Sequence, residues 1–245
     1  MTARENLLHR LATYPDVIIP VPTLTNIGFT PFDFSRGVLQ DPTVLESIVP
    51  AFLEKGDFQK YDLFAALPIS GISIATALAL VIKKPFVIVR EEVKRPGRPQ
   101  IMGGNNFLKP GSRVCIIDDW IASGLNKHAA LKLLDEAGAK VEMIACLGDF
   151  DMDENERGYV HDFQKRGIEI LTLLTWTELL GAQYKAGTMD KELYELSMLR
   201  LRTGSFADDS KGNLTRCAAY LRKLGVTLNS QVKEFMMKKG VDVSG

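Results

Sequence analysis

Asp118 and Asp119 stand side by side at the end of the apolar run Arg-Val-Cys-Ile-Ile-Asp, and Ala122-Ser123-Gly124-Leu125-Asn126 follows just before a helical pattern. Adjacent carboxylates repel unless a cation or hydroxyl donors occupy the space in front of them. At an effective dielectric near 20, unit charges about 4 Å apart interact by about 4 kcal/mol. That is enough to favour a bound Mg²⁺ or ribose hydroxyls over an empty site. A short Ser/Gly loop entering a helix leaves backbone N–H groups unbonded and carries about half a positive charge, so it can seat a phosphate. A sugar phosphate satisfies both halves of the stretch. The bland alternative makes Asp119 a helix cap and Asp118 a solvated strand end.

Two further segments can meet anions. The turn Leu67-Pro68-Ile69-Ser70-Gly71 lies between a strand pattern and a helix pattern and could cradle a second anion, though such turns are common in any parallel sheet. Residues 91–112 form a stretch longer than ordinary loops. At its start Arg90, Lys94, Arg95 and Arg98 outnumber Glu91 and Glu92, and Gly97, Gly103 and Gly104 add freedom. A loop of this kind could close over a polyanion, neutralise a leaving group and exclude water, or be a plain solvated loop.

The elements that must position these residues follow from periodicity. Residues 17–21 are a short β-branched run, and the apolar runs at 61–67, 85–90, 113–118, 141–147 and 168–174 read as strands. Helical patterns at 42–55, 72–82, 126–137 and 159–166 alternate with them, and Asp41-Pro42 is an N-cap followed by Pro at the first helical position. Pro50 should kink or shorten its helix. Alternation of this kind predicts an α/β fold with a parallel, doubly wound sheet flanked by helices. Three amphipathic patterns at 189–202, 214–224 and 230–239 predict a helical C-terminal extension. The division expected is an α/β domain over residues 1–184 and a helical extension over 185–245.

The charge balance narrows the function classes. Thirty Lys and Arg offset thirty Asp and Glu, so the electrostatic footprint of a nucleic-acid binder is missing and any anion site must be local. The longest apolar stretch is far below the roughly 20 residues needed to span a bilayer, and residues 1–16 lack the apolar core of a secretion signal. A cytoplasmic protein without a membrane partner is expected. Cys115, Cys146 and Cys217 lie far apart and read as core thiols. His9 and His161 lack metal-ligand spacing, His128 reads as a surface residue beside the phosphate loop, and Trp120 as either core or a wall of the sugar pocket.

Taken together, these segments resemble the type I phosphoribosyltransferases. Residues 116–141, IIDDWIASGLNKHAALKLLDEAGAKV, are similar to that family's acidic pair and phosphate loop. Residues 67–94 look like the pyrophosphate loop, helix and strand of its orotate enzymes, and residues 29–42 resemble an early segment shared by adenine and orotate members. The resemblance implies that Asp118 and Asp119 hold the ribose hydroxyls of phosphoribosyl pyrophosphate (PRPP), one of them through Mg²⁺. It also implies that Ala122, Ser123, Gly124, Leu125 and Asn126 hold the 5-phosphate. Ile69, Ser70 and Gly71 would contact the pyrophosphate, with Arg90 and Lys94 balancing its charge as it leaves. Lys94 and Asp119 would then be the catalytic residues.

The implied reaction transfers the phosphoribosyl group to a nucleobase, orotate ahead of adenine or another purine, in a Mg²⁺-dependent homodimer. The lid run Arg90-Glu91-Glu92-Val93-Lys94-Arg95-Pro96 departs from the family's basic pattern, with a glutamate and a proline where a lysine and a histidine are expected. A catalytically inactive PRPP-binding regulator is therefore the alternative.

Overall fold

The computed structural model describes residues 1–25, 28–30, 32–90, 101–152, 157–203 and 211–243. In chain order the elements are α1 (Ala3–Thr13), β1 (Ile18–Ile19), β2 (Thr23–Thr25), β3 (Gly28–Thr30), β4 (Asp33–Phe34), a 3-10 turn (Arg36–Gln40), α2 (Pro42–Lys55), β5 (Leu63–Ala66), α3 (Ser70–Ile82), β6 (Phe86–Val89) and β7 (Ile101–Gly103). They continue with β8 (Arg113–Ile121), α4 (Leu125–Glu136), β9 (Lys140–Asp149), α5 (Gly158–Lys165), β10 (Glu169–Thr175), α6 (Trp176–Ala186), α7 (Lys191–Thr203), α8 (Lys211–Lys223) and α9 (Ser230–Lys238). These fall into two compact units, one of Met1–Arg10 with Arg36–Trp176, the other of Leu11–Ser35 with Thr177–Gly245.

The first unit is built on one sheet of order β10-β9-β8-β5-β6-β7. Its first five strands are parallel, as the alternating pattern requires, and β7 joins β6 antiparallel. Sequence periodicity treats 91–112 as irregular and misses β7, because three residues are too few to show an alternation. The central strand β8 is buried almost throughout, the reason its sequence is a near-continuous apolar run. On one face Ala130, Leu131 and Leu134 of α4 and Val160 and Phe163 of α5 close over Leu63, Ala65, Val114, Ile116, Ile144 and Cys146. Right-handed crossovers put α3 on the opposite face from α4.

Helix α2 starts where Asp41 accepts a hydrogen bond from the Thr43 N–H at 2.8 Å, and it runs on through Pro50 to Lys55. Of the two effects expected of Pro50, a kink or a shortening, the shortening does not occur. Pro50 and Glu46, whose carbonyl the proline leaves without an intrahelical donor, are both exposed, so water can take that carbonyl. Helix α1, which the apolar patterns passed over, is started by a capping box: Thr2 N–H donates to Glu5 at 2.8 Å and Glu5 N–H to Thr2 Oγ1 at 3.1 Å.

Trp120 is core, not a wall of the sugar pocket. Its ring packs on Trp176 at 4.8 Å and Phe150 at 5.3 Å, and it leaves no room for a side chain at Gly148, where a Cβ would overlap Trp120 Cζ3. Gly148→Ala is expected to cost about 1–3 kcal/mol, a fall of roughly 2–4 °C in melting temperature per kcal/mol for a chain this size. Combined with Trp120→Leu, the loss should be smaller than the two single losses added, because the overlapping ring is gone. Additive losses would assign Gly148 some other constraint.

In the second unit β1 pairs antiparallel with β4, β2 pairs antiparallel with β3, and α9 lies beside β2. Tyr220 donates its hydroxyl proton to Asp190 at 2.7 Å, and Thr188 Oγ1 donates to the Ala12 carbonyl at 2.6 Å. Burial opposes ionisation of Asp190, but the Leu193 N–H and the Tyr220 hydroxyl outweigh it and hold the carboxyl below its ordinary range. All three helices expected in the C-terminal extension are present. None of the described helices is long and apolar enough to cross a membrane.

Candidate active site

The chain reverses direction across the sheet between β5 and β8: β6 follows on one side of β5, while β8 and then β9 build outward on the other. In parallel sheets a crevice opens at the C-terminal ends of the strands flanking such a reversal. Both anion-binding candidates fall there. The turn 67–71 leaves β5, and the acidic pair with the loop 122–126 closes β8.

The two segments are in direct contact. Leu67 N–H donates to the Ile117 carbonyl at 3.1 Å, and Gly71 sits so close to β8 that a Cβ there would overlap the Ile117 carbonyl oxygen and lie 3.2 Å from the Asp118 Cα. The Pro68–Ile69 peptide bond is cis. Ile69 is exposed, whereas Ser70 is buried and its Oγ has no hydrogen-bond partner among the described residues. No side chain caps α3 and no acid stands in its first turn. Buried polar groups are nearly always bonded, so an unmet hydroxyl beside uncapped amides has room in its bonding for an anionic ligand.

At α4 the N-cap is Gly124, with φ of 86° and no side-chain cap, and the first turn again holds no acid. Gly124 is required twice over. Its φ lies in the left-handed region, and a Cβ would come 2.9 Å from the Phe163 ring and 3.1 Å from Tyr159 Cβ. Helix α5 thus packs against the loop 122–126. His128, expected on the surface, is half-buried with its ring on Tyr159 at 4.5 Å. Ala122, Ser123 and Leu125 are half-buried and Asn126 is exposed, so the loop's open side meets solvent.

The two aspartates are not equivalent. Strand β8 runs past both of them to Ile121, pairing Asp118 with Cys146 and Ile121 with Asp149. Asp119 is half-buried and its Oδ1 accepts from the Trp120 N–H at 2.7 Å. Asp118 is 7% exposed, and its Oδ2 accepts a hydrogen bond from the buried Lys127 ammonium. Lys127 also donates to the Trp120 carbonyl at 2.5 Å. Burial pushes the Asp118 carboxyl up to about 6 while Lys127 pulls it down. Burial lowers Lys127 in turn, but the charge of Asp118 prevails and raises it.

Asp118 is therefore neither a solvated strand end nor a free metal ligand. Among the described residues no three His, Cys, Asp or Glu side chains cluster for a metal. A caged ion does not fit here. Mg²⁺ held through phosphates, water and a carboxylate does, and Asp119 is the carboxylate available for it.

Arg90 follows β6 directly and is half-buried. Lys94 lies outside the described residues. Sequence reading missed Lys127, although a lysine in the first turn of a helix, where the dipole disfavours cations, was a signal that something compensates it. Among the described residues, a groove lined by Leu53, Gly56, Phe58, Gln59, Val81 and Ile82 lies at the N-terminal ends of β5 and β6, opposite the strand ends where open α/β sheets place their ligands.

Residues 48–178 match the phosphoribosyl transferase domain. The chain belongs to the phosphoribosyltransferase family. It is 28% identical over 151 residues to the adenine phosphoribosyltransferase of Marinobacter nauticus, covering 57% of this chain and 82% of that protein. With the orotate phosphoribosyltransferase of Pyrococcus horikoshii it shares 30% identity over 149 residues, 60% of this chain and 76% of that one.

In fold this phosphoribosyltransferase is similar to the UMP synthase of Leishmania donovani, with a TM-score of 0.67 and 22% identity over 83% of this chain, but over only 43% of that longer chain. It is also similar to the orotate phosphoribosyltransferase of Aeropyrum pernix, with a TM-score of 0.56 and 19% identity over 71% of this chain and 97% of that one. The family and its α/β fold are as the acidic pair and the loop 122–126 led one to expect.

Proposed function

We propose that this phosphoribosyltransferase transfers the 5-phosphoribosyl group of PRPP to orotate, with adenine as second choice, and releases pyrophosphate. The observation that carries the PRPP site is the meeting of the turn 67–71 with the backbone of Ile117 and Asp118 at the sheet's reversal point. It sets two uncapped helix N-termini on either side of an acidic pair, the order of charge along a ribose that bears a phosphate at one end and a pyrophosphate at the other. Orotate is placed first on the likeness of residues 67–94 to the orotate enzymes.

In this reading the amides of Ala122, Ser123, Gly124, Leu125 and Asn126 take the 5-phosphate, and Ile69, Ser70 and Gly71 take the pyrophosphate. Asp118 and Asp119 take the ribose hydroxyls. Arg90 and Lys94 balance the charge that develops on the leaving pyrophosphate. Positioning and the exclusion of water supply the rest. Mg²⁺, when bound with PRPP, adds positive charge to the leaving group, with Asp119 as its protein contact. The protein acts in the cytoplasm as a homodimer, and the exposed Leu80 and Val81 near the end of α3 give that assembly an apolar patch to cover.

The test is pyrophosphate release from PRPP and Mg²⁺ with a panel of bases. Release with orotate alone is the expected result. Release only with adenine moves the base assignment. Release with none, together with a higher melting temperature in PRPP, replaces the enzyme by a regulator that binds PRPP. Lys94→Ala should lower kcat more than it weakens PRPP binding if that cation acts mainly in the transition state, and equal losses reassign it to ground-state binding.

A further inference from the structure

Lys127 stands in the first turn of α4 and is 5% exposed. Three physical costs meet there. The helix dipole disfavours a cation at that end, an ammonium loses its hydration, and a buried ion pair is a weak source of stability compared with apolar side chains of similar size. The two groups its ammonium bonds, the Asp118 carboxylate and the Trp120 carbonyl, flank Asp119, the member of the acidic pair left half-buried. An apolar residue at 127 would extend the packing of Ala130, Leu131 and Leu134. It would also leave two carboxylates facing a ligand that is itself a polyanion.

We propose that Lys127 is a positioning residue that acts as a built-in counter-cation: by bonding Asp118 it cuts the net charge of the acidic pair from two to one, so that PRPP binding needs less help from a divalent cation. The inference rests on the PRPP reading above. Lys127 acts through Asp118 and touches no substrate. Its hydrogen bond also fixes which Asp118 oxygen stays available, and its bond to the Trp120 carbonyl ties α4, and with it the phosphate loop, to the strand that bears both acids.

The readout is the ratio of PRPP dissociation constants measured by calorimetry in EDTA and in saturating Mg²⁺. A ratio compares each protein with itself and so cancels a general loss of fold quality. Lys127→Met, which restores the second uncompensated charge, is expected to raise the ratio roughly tenfold over wild type, the size of one unit charge acting across several ångströms of partly solvated protein. Asp118→Asn removes one negative charge while keeping an oxygen for the ammonium, and should lower the ratio below wild type. The double variant Asp118→Asn/Lys127→Met restores the wild-type net charge and should restore the wild-type ratio. If Lys127→Met does not fold, the opposite shift of Asp118→Asn and its reversal in the double variant decide the matter.

Ratios that stay at the wild-type value in all variants overturn the proposal and leave Lys127 a stabilising residue only. Wild-type protein that binds no PRPP in either condition overturns the PRPP reading, and this inference with it.

Discussion

Asp119→Asn is expected to lower turnover by a factor of about 10² to 10³, the loss of about 3 to 4 kcal/mol that removal of one preorganised electrostatic contact produces. The amide is nearly isosteric with the carboxylate, and its oxygen can still accept the Trp120 N–H that Asp119 Oδ1 accepts at 2.7 Å. Asp119 is half-buried and paired with no cation among the described residues, so the fold loses little with its charge. The melting temperature should therefore stay near that of wild type while kcat falls. Steady-state kinetics beside a thermal scan checks both, and turnover left intact would remove Asp119 from the reaction.

The second large effect is expected at Gly71. Helix α3 passes so close to β8 that a methyl group at residue 71 meets the Ile117 carbonyl oxygen, part of a backbone that cannot rotate aside. The helix must lift off the strand. That strains the Leu67 N–H bond to the Ile117 carbonyl, 3.1 Å in the native chain, and carries the turn 67–71 away from the acidic pair.

Overpacking of this kind costs about 1–3 kcal/mol, and a displacement of about 1 Å between reacting groups can cost about 10²-fold in rate. Gly71→Ala should thus lose both melting temperature and turnover, with the kinetic loss the larger. Gly71→Ala with wild-type kinetics would show that the turn does not hold the pyrophosphate. In contrast, Asp119→Asn separates the two readouts, because it removes charge without moving backbone.

How much of the site was legible in the chain varies by residue, and the reason is range of interaction. The acidic pair, the glycine of the phosphate loop and the turn before α3 are local features. A left-handed residue and an uncapped helix start are each set by a few consecutive residues, so spacing revealed them, whereas the strand expected to end at Asp118 runs on to Ile121. The capping box Thr2 to Glu5 is equally local, but apolar periodicity does not register it. Lys127 could not be placed in the same way. Its partner is nine positions away on another element, and only the packing of α4 on the sheet says whether its side chain turns inward.

From the sequence alone came the alternation that makes a parallel sheet, the order of its five parallel strands with the helices between them, and a pair of carboxylates next to an uncapped helix start. Those depend on side-chain period and on backbone conformations that neighbouring residues dictate. The tertiary structure decided that the chain reverses between β5 and β8, that Trp120 belongs to the core and forces a glycine at 148, and that one aspartate is neutralised while its neighbour stays available. Each of these depends on atoms brought together from distant parts of the chain, where volume and charge must be balanced in three dimensions, and no window of consecutive residues contains that information.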